Sequence, residues 1–455
     1  MATETEAQTE HAELHDVIRE SMDRLHVPGV ALGLMVDGKD HVAAFGVTNV
    51  NHPSPVETDT LFQIGSTTKT ITATTIMRLV ESGQVELDVP VRTYLPDLRL
   101  HDEGVAAAVT VRHLLTHTAG WVGDYFSDTG RGDDALATVV VQMADLPQLT
   151  PLGAVWSYNN AAFYLAGRVI EAVTGKPYEA AARELVLEPL GLKHSFFFPE
   201  EVMVHSFAVG HNVVDDVAQV ATPWALARTA NPAGGLASSA GDQLRYARFH
   251  MGDGTAEDGT RVLSPESMAL MQTPMASAGV DREVGLSWFL REIEGVRIVE
   301  HGGGTNGQVS EFMFAPERNF ALTLLTNANR GGELALSPVK WALKQYLGIA
   351  ETEPVPEPRS DQALAAYAGR YTSSATALDL TVQEGALVVA MSLHDFPADT
   401  PPPVPPPFRM AVCGTDRVVA LDGPIKGATA EFLRDNDGAI EWLRMGGRIQ
   451  RRERE

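Results

Sequence analysis

The sequence has almost no cysteine. Cys413 is the only thiol in 455 residues, which excludes an intrachain disulfide and any zinc site built from several cysteines. Long apolar runs are also missing, so no stretch reads as a membrane span. Positive charge is scarce: 35 Lys and Arg stand against 59 Asp and Glu, a net charge of -24. Such an acidic surface repels nucleic acid and anionic membranes, and neither is expected as a partner. The opening residues Met1-Ala2-Thr3-Glu4-Thr5-Glu6 lack a basic segment followed by an apolar one. No secretory signal is read there, and a cytoplasmic location is expected. No Gly-x-Ser-x-Gly occurs, which counts against the nucleophile turn of an α/β-hydrolase. His11 with His15 and His113 with His117 are spaced one helical turn apart. Neither pair has a His-Glu-x-x-His context or an evident third ligand, so no metal is expected. No cofactor is expected either.

What is present suffices for a large core: 44% of residues are hydrophobic and 21% charged, with enough chain for more than one domain. Apolar residues at Leu14, Val17, Ile18, Met22 and Leu25 predict a helix, because they recur at helical spacing. Val30 to Val36 and His41 to Val47 read as strands joined by the hairpin signal Asp37-Gly38. The middle of the chain, roughly 70 to 200, is helix-rich. Strands return at Leu286–Leu290, Arg297–Glu300, Gln308–Phe314 and Phe320–Thr326, and Ser337-Pro338 is read as opening a final helix that ends at Gly348. The strands thus come from both ends of the segment 10–348. That order predicts an α+β fold, an antiparallel sheet flanked by helices with a helical lobe.

A Pro- and Glu-rich linker is expected over 351–360, dividing a first domain over 1–350 from a second over 361–455. Beyond it, strands are predicted at Ala377–Val382, Ala386–Met391, Arg417–Leu421, Ala428–Leu433 and Ile440–Leu443. They read as a small all-β, barrel-like domain. Pro401-Pro402-Pro403-Val404-Pro405-Pro406-Pro407 is read as an exposed spacer loop.

The chemistry centres on Ile64-Gly65-Ser66-Thr67-Thr68-Lys69-Thr70. On a helix, positions i and i+3 share a face, so Ser66 and Lys69 point the same way. A serine hydroxyl becomes a competent nucleophile beside a base that takes its proton. Ser-x-x-Lys recurs at Ser337-Pro338-Val339-Lys340, where a helix cap accounts for it. Ser66 has further company. Tyr158-Asn159-Asn160 is the only Tyr-x-Asn in the chain, and His301-Gly302-Gly303-Gly304 sits between two predicted strands.

These three motifs in this order resemble the serine β-lactamase and penicillin-binding-protein superfamily, in its branch of class C β-lactamase-like esterases and D-aminopeptidases. Asp59-Thr60-Leu61-Phe62, the run Arg112 to Gly120 and Pro232-Ala233-Gly234-Gly235 add to the likeness, which covers roughly 10–348. The tail, above all Trp442 to Arg448, resembles the lipocalin-like domain that follows some of these hydrolases. The resemblance implies that Ser66 is the nucleophile and Lys69 its base, sharing the proton with Tyr158. It implies that Asn160 orients Lys69 and the substrate, and that His301 stands where β-lactamases have lysine. It places the oxyanion hole at the N–H groups of Ser66 and Gly304, with Gly303 in the same strand edge. Trp121, Tyr125 and Trp224 are candidate pocket walls; packing accounts for lone aromatics equally well.

Losing the lysine at 301 removes a cation that would hold a β-lactam carboxylate. The expected activity is therefore ester or amide hydrolysis through a Ser66 acyl-enzyme, with a small-molecule ester, amide or peptide as substrate. The alternatives are a D-stereospecific aminopeptidase or amidase, a peptide-cyclising acyltransferase, and a penicillin-binding receptor without turnover. The sequence leaves oligomeric state, acyl group, leaving group and stereochemistry open.

Overall fold

The computed structural model describes residues 11–373, 376–393, 404–423 and 425–453. Its centre is a nine-stranded sheet. From one edge the strands run Lys39–Gly46, Gly29–Val36, Phe320–Thr326, Val309–Ala315, Val296–Glu300, Phe289–Ile293, Arg282–Val284 and Ala276–Gly279. The ninth, Gly303–Gly304, pairs with Val309–Ala315. Every pairing is antiparallel. The first hairpin turns where the sequence predicts, with Asp37 at φ 50 and Gly38 at φ 75, the left-handed pair that matches strand twist.

Helices cover both faces. Leu14, Ile18, Leu324 and Leu334 pack on one side, and Ile71, Phe163, Trp288 and Phe312 on the other. This is why Gly29–Val36 reads as a continuous apolar run: seven of its eight positions are buried. The helix Thr68–Glu81 lies at the centre of the helical lobe and is buried almost all round. Its threonines satisfy their own hydroxyls, Thr70 on the Thr67 carbonyl at 2.8 Å and Thr74 on that of Thr70 at 2.9 Å, so a polar-looking helix can sit in a core.

Two expectations are corrected. The strand read at Leu286–Leu290 begins at Phe289; Ser287, at φ 71, breaks the extended run before it. The last helix of this part opens at Gly331, not at Ser337-Pro338, and carries Pro338 inside it. Burial of Leu334, Ala335, Pro338 and Ala342 against the sheet outweighs the hydrogen bond that proline cannot donate.

Residues 351–360 have no regular structure and are exposed. Eight strands then close into a barrel, from Gly369–Thr372 to Arg448–Arg452, whose ends pair at Tyr371 and Thr372. Tyr371, Leu387, Phe408, Phe432 and Leu443 fill it. Closure removes the exposed edges of an open sheet. Of the proline run, Pro401–Pro403 lie outside the described residues, and 404–407 are irregular.

Candidate active site

Ser66 sits in a 3₁₀ turn, Gly65–Thr67, that feeds the helix Thr68–Glu81. Thr67 Oγ1 donates to the His301 carbonyl at 2.9 Å, and Ser310 Oγ donates to that of Ile64 at 2.8 Å. These bonds clamp the serine turn onto the strand edge at 301–304. Glycine makes the approach possible. A Cβ on Gly303 would lie 1.9 Å from the Ile64 oxygen and 2.6 Å from the Ser66 nitrogen, and one on Gly65 2.6 Å from the Gly304 nitrogen. The serine turn and the Gly303–Gly304 strand are therefore in backbone contact, with Ser66 and Gly304 both lining the cavity.

Lys69 is fully buried behind Ser66. Its Nζ lies 3.0 Å from Ser66 Oγ, 2.7 Å from Asn160 Oδ1 and 2.6 Å from the Ala233 carbonyl. Burial pushes its pKa well below the ordinary lysine value, Arg448 pushes the same way, and Asp124 opposes. A neutral amine has two N–H groups and one lone pair. The carbonyl oxygens of Asn160 and Ala233 only accept, so they take both hydrogens. The lone pair is left for Ser66, the arrangement needed to receive its proton.

Asn160 is placed by its neighbour. Asn159 caps the helix Asn160–Thr174, accepting from the Ala162 N–H at 2.8 Å. Asparagine is among the residues strongly preferred at such a cap. Tyr158 lines the cavity beside it, stacked on His117 with centroids 4.4 Å apart. Lys69 Nζ is 4.9 Å from the centre of its ring. The phenol oxygen is buried beside Ser66 and makes no well-formed hydrogen bond among the described residues. Burial raises its pKa, and the nearby Ser66 hydroxyl works against that rise, so the group is a protonated phenol. His117 accepts from the Asn159 N–H at 3.0 Å. It lies beyond the end of the helix Val111–Leu115, which holds His113, so those two histidines do not share a helical face.

His301 donates from Nδ1 to the Gly302 carbonyl, 2.7 Å away, and its Nε2 is buried with no hydrogen-bond partner among the described residues. Burial is the main cause that lowers its pKa, to about 3. It is a neutral acceptor, the electrostatic opposite of a lysine at that place.

The cavity, about 1190 Å³, brings Ser66, Tyr158, Asn160, His301, Gly303 and Gly304 onto one wall system. Trp121, Tyr125 and Trp224 do not line it. Trp121 belongs to the helical-lobe core and Tyr125 packs against that core, while the Trp224 indole donates to the Ala208 carbonyl at 2.9 Å. The aromatic walls are instead Phe126, Trp156, Tyr164 and Phe289; each needed the tertiary fold to place it.

The barrel closes the far side. Its Gly446-Gly447 turn, with φ 57 and 76, sets the Gly447 carbonyl to accept from the Tyr158 N–H at 2.8 Å. The Arg448 guanidinium lies 4.6 Å from the centre of the Tyr158 ring and pairs with Asp124 at 2.9 Å. Asp124 belongs to no motif read in the sequence, and Arg448 closes the stretch from Trp442 to Arg448 without any sign there that it reaches the site.

The beta-lactamase family profile matches residues 14–343. The chain belongs to that family. It is a β-lactamase-fold serine hydrolase. Among curated relatives, Penicillin-binding protein 4 of Amycolatopsis lactamdurans is 37% identical over 356 residues, 76% of this chain and 93% of that protein. Esterase EstB of Burkholderia gladioli is 35% identical over 172 residues, 35% of this chain and 44% of its own length. Among solved structures, SurE with D-Leu superposes with a TM-score of 0.76 at 26% identity, covering 98% of this chain and all (100%) of that one. The family match ends near the linker, whereas the SurE likeness extends across almost the whole chain, barrel included. Among the described residues no helix is long and apolar enough to cross a membrane.

Proposed function

We propose that this β-lactamase-fold protein hydrolyses esters, or activated amides, through an acyl-enzyme on Ser66. The supporting observation is the buried Lys69 amine within hydrogen-bond reach of the serine hydroxyl, with its two other contacts on acceptor-only oxygens. Ser66 Oγ adds to the substrate carbonyl as its proton passes to Lys69. The N–H groups of Ser66 and Gly304 hold the developing oxyanion, usually the largest electrostatic contribution in acyl transfer. The carbon–oxygen bond to the leaving group breaks, and the leaving oxygen takes a proton from Tyr158, which Lys69 replenishes. Water then adds to the acyl carbon, its proton returns through the same groups, and the acid departs with Ser66 restored. Likeness to an esterase supports the ester reading.

A second reading is a D-stereospecific peptidase, amidase or peptide-cyclising acyltransferase on the same groups. It is favoured by the neighbour that carries D-Leu and shares the fold over nearly the whole chain.

Release of p-nitrophenol from acetate and butyrate esters tests the first reading. Ser66→Ala abolishes it and Ser337→Ala, on an exposed helix position, leaves it intact. Absence of release from any ester or aminoacyl anilide defeats both readings.

A further inference from the structure

We propose that Asp124 and the barrel's Arg448 are positioning residues that aim the Lys69 lone pair at Ser66. The barrel turn at Gly446–Arg448 is then a working part of the active site. The inference rests on the serine-hydrolase reading above and extends it.

A chain of polar contacts runs from the barrel to the serine. Arg448 Nε donates to Asp124 Oδ2 at 2.9 Å, and its terminal nitrogen to Oδ1 at 3.2 Å. Asn160 Nδ2 donates to Asp124 Oδ1 at 2.9 Å. Lys69 Nζ meets Asn160 Oδ1 at 2.7 Å and Ser66 Oγ at 3.0 Å. A carboxylate can only accept, so Asp124 fixes which end of the Asn160 amide faces it. The other end, the carbonyl oxygen, must face Lys69 and draws a hydrogen from it. A flipped Asn160 would present its NH₂ to Lys69 instead. The lysine lone pair would then be occupied, and nothing would be left to take the Ser66 proton. Asp124 thus acts through Asn160, and Arg448 holds Asp124 in place by a two-nitrogen grip.

The barrel is held where this requires. The Gly447 carbonyl accepts from the Tyr158 N–H at 2.8 Å, and Ile449 N–H donates to Ser157 Oγ at 3.3 Å. The buried Arg444 guanidinium donates to the Trp156 carbonyl at 3.1 Å and to that of Ser277 at 3.2 Å, while pairing with Glu431 in its own barrel. These contacts engage the Trp156–Tyr158 segment directly before the Asn160 helix.

The test reads the pH dependence of Ser66 labelling by a fluorophosphonate, followed by intact-protein mass spectrometry. Labelling forms an Oγ–P bond, expels fluoride and passes the Oγ proton to Lys69, so the rate falls where Lys69 becomes protonated. Arg448 and Asp124 push the Lys69 pKa in opposite directions. The remaining titratable groups around it, Tyr158, His117 and His301, are all held uncharged by burial. Arg448→Gln should move the acid limb to higher pH, and Asp124→Asn to lower pH, each by about one unit for a charge several ångströms away. Asp124→Asn should also lower the plateau rate about tenfold or more, because Asn160 can then flip. The double variant should bring the limb back toward the parent.

Shifts in the same direction, or slower labelling with an unmoved limb, overturn the proposal, since a merely structural role predicts the latter. If Arg448→Gln does not fold, Arg448→Lys keeps the charge and should keep the parental limb while Asp124→Asn moves; equal behaviour of those two also overturns it. A parent protein unlabelled at every pH removes the serine-hydrolase reading and this one together. A labelled parent with unmoved variants removes this one alone.

Discussion

Gly303→Ala should disable the site although it adds one methyl group. The new Cβ would stand 1.9 Å from the Ile64 oxygen and 2.6 Å from the Ser66 nitrogen, both backbone atoms. Ordinary carbon contacts lie near ~3.5 Å, so the strand must retreat from the serine turn by about 1.5 Å. A misplacement of about 1 Å in a reacting geometry costs on the order of 10²-fold. Loss of one oxyanion donor costs on the order of 10²–10³-fold. The acylation rate should therefore fall by about 10²–10³-fold, with about 1–3 kcal/mol of stability lost to overpacking. Gly304→Ala is the contrast, because its Cβ meets nothing within 4 Å. It should fold with parental stability and lose far less acylation. Burst-phase release from a p-nitrophenyl ester, with a thermal melt beside it, measures both variants. Equal losses in the two, or a Gly303→Ala enzyme keeping more than about a tenth of the parental rate, would refute the close-approach reasoning.

Tyr158→Phe removes a buried hydroxyl that makes no well-formed hydrogen bond among the described residues. Stability should be nearly unchanged while kcat drops by about 10²–10⁴-fold, the usual worth of a placed proton donor; a steady-state assay and a melt decide it. His301 and His250 are held at about 3 and His41 at about 4. Below an unfolded value near 6.5, the unfolded chain takes up protons that the folded chain refuses. Stability should therefore fall as pH drops from about 6.5 toward 3, by up to ~1.4 kcal/mol per pH unit for each of the fully buried His301 and His250, and by less for the half-exposed His41, where solvent screens the charge. Urea midpoints at pH 7 and 5 should show His250→Gln with a shallower dependence than the parent; an equal slope contradicts the assignment. Benzylpenicillin should be turned over slowly, since neutral His301 supplies no cation for its carboxylate, a loss of about ten- to a hundredfold against a charged donor. A lasting adduct of that drug seen by mass spectrometry would favour the receptor alternative. Paired D- and L-aminoacyl esters and anilides separate the two functional readings: a strong D preference on anilides supports the peptidase branch.

Much of the molecule was legible because its signals are local. The hairpin at Asp37-Gly38 follows from two left-handed positions, and the Ser66–Lys69 pairing from helical spacing. Failures came where burial overrode local preference. Pro338 reads as a helix opener yet lies mid-helix, because that face is covered by the sheet. The closing strand Arg448–Arg452 has too much charge to read as a strand, and only pairing with its neighbours on both sides holds it extended.

The sequence by itself determined which groups meet within a turn or a strand: the hydroxyl with its amine, and the glycine run without side chains. Those relations span a few residues, so backbone geometry settles them. Only the tertiary structure decided what surrounds them. Asp124 and Arg448 are 324 positions apart and nothing in the sequence links them; they pair because a barrel turn docks on Tyr158. The electrostatics follow the same rule. Burial lowers the pKa of Lys69 well below the ordinary lysine value and that of His301 to about 3, and burial is a property of the assembled core.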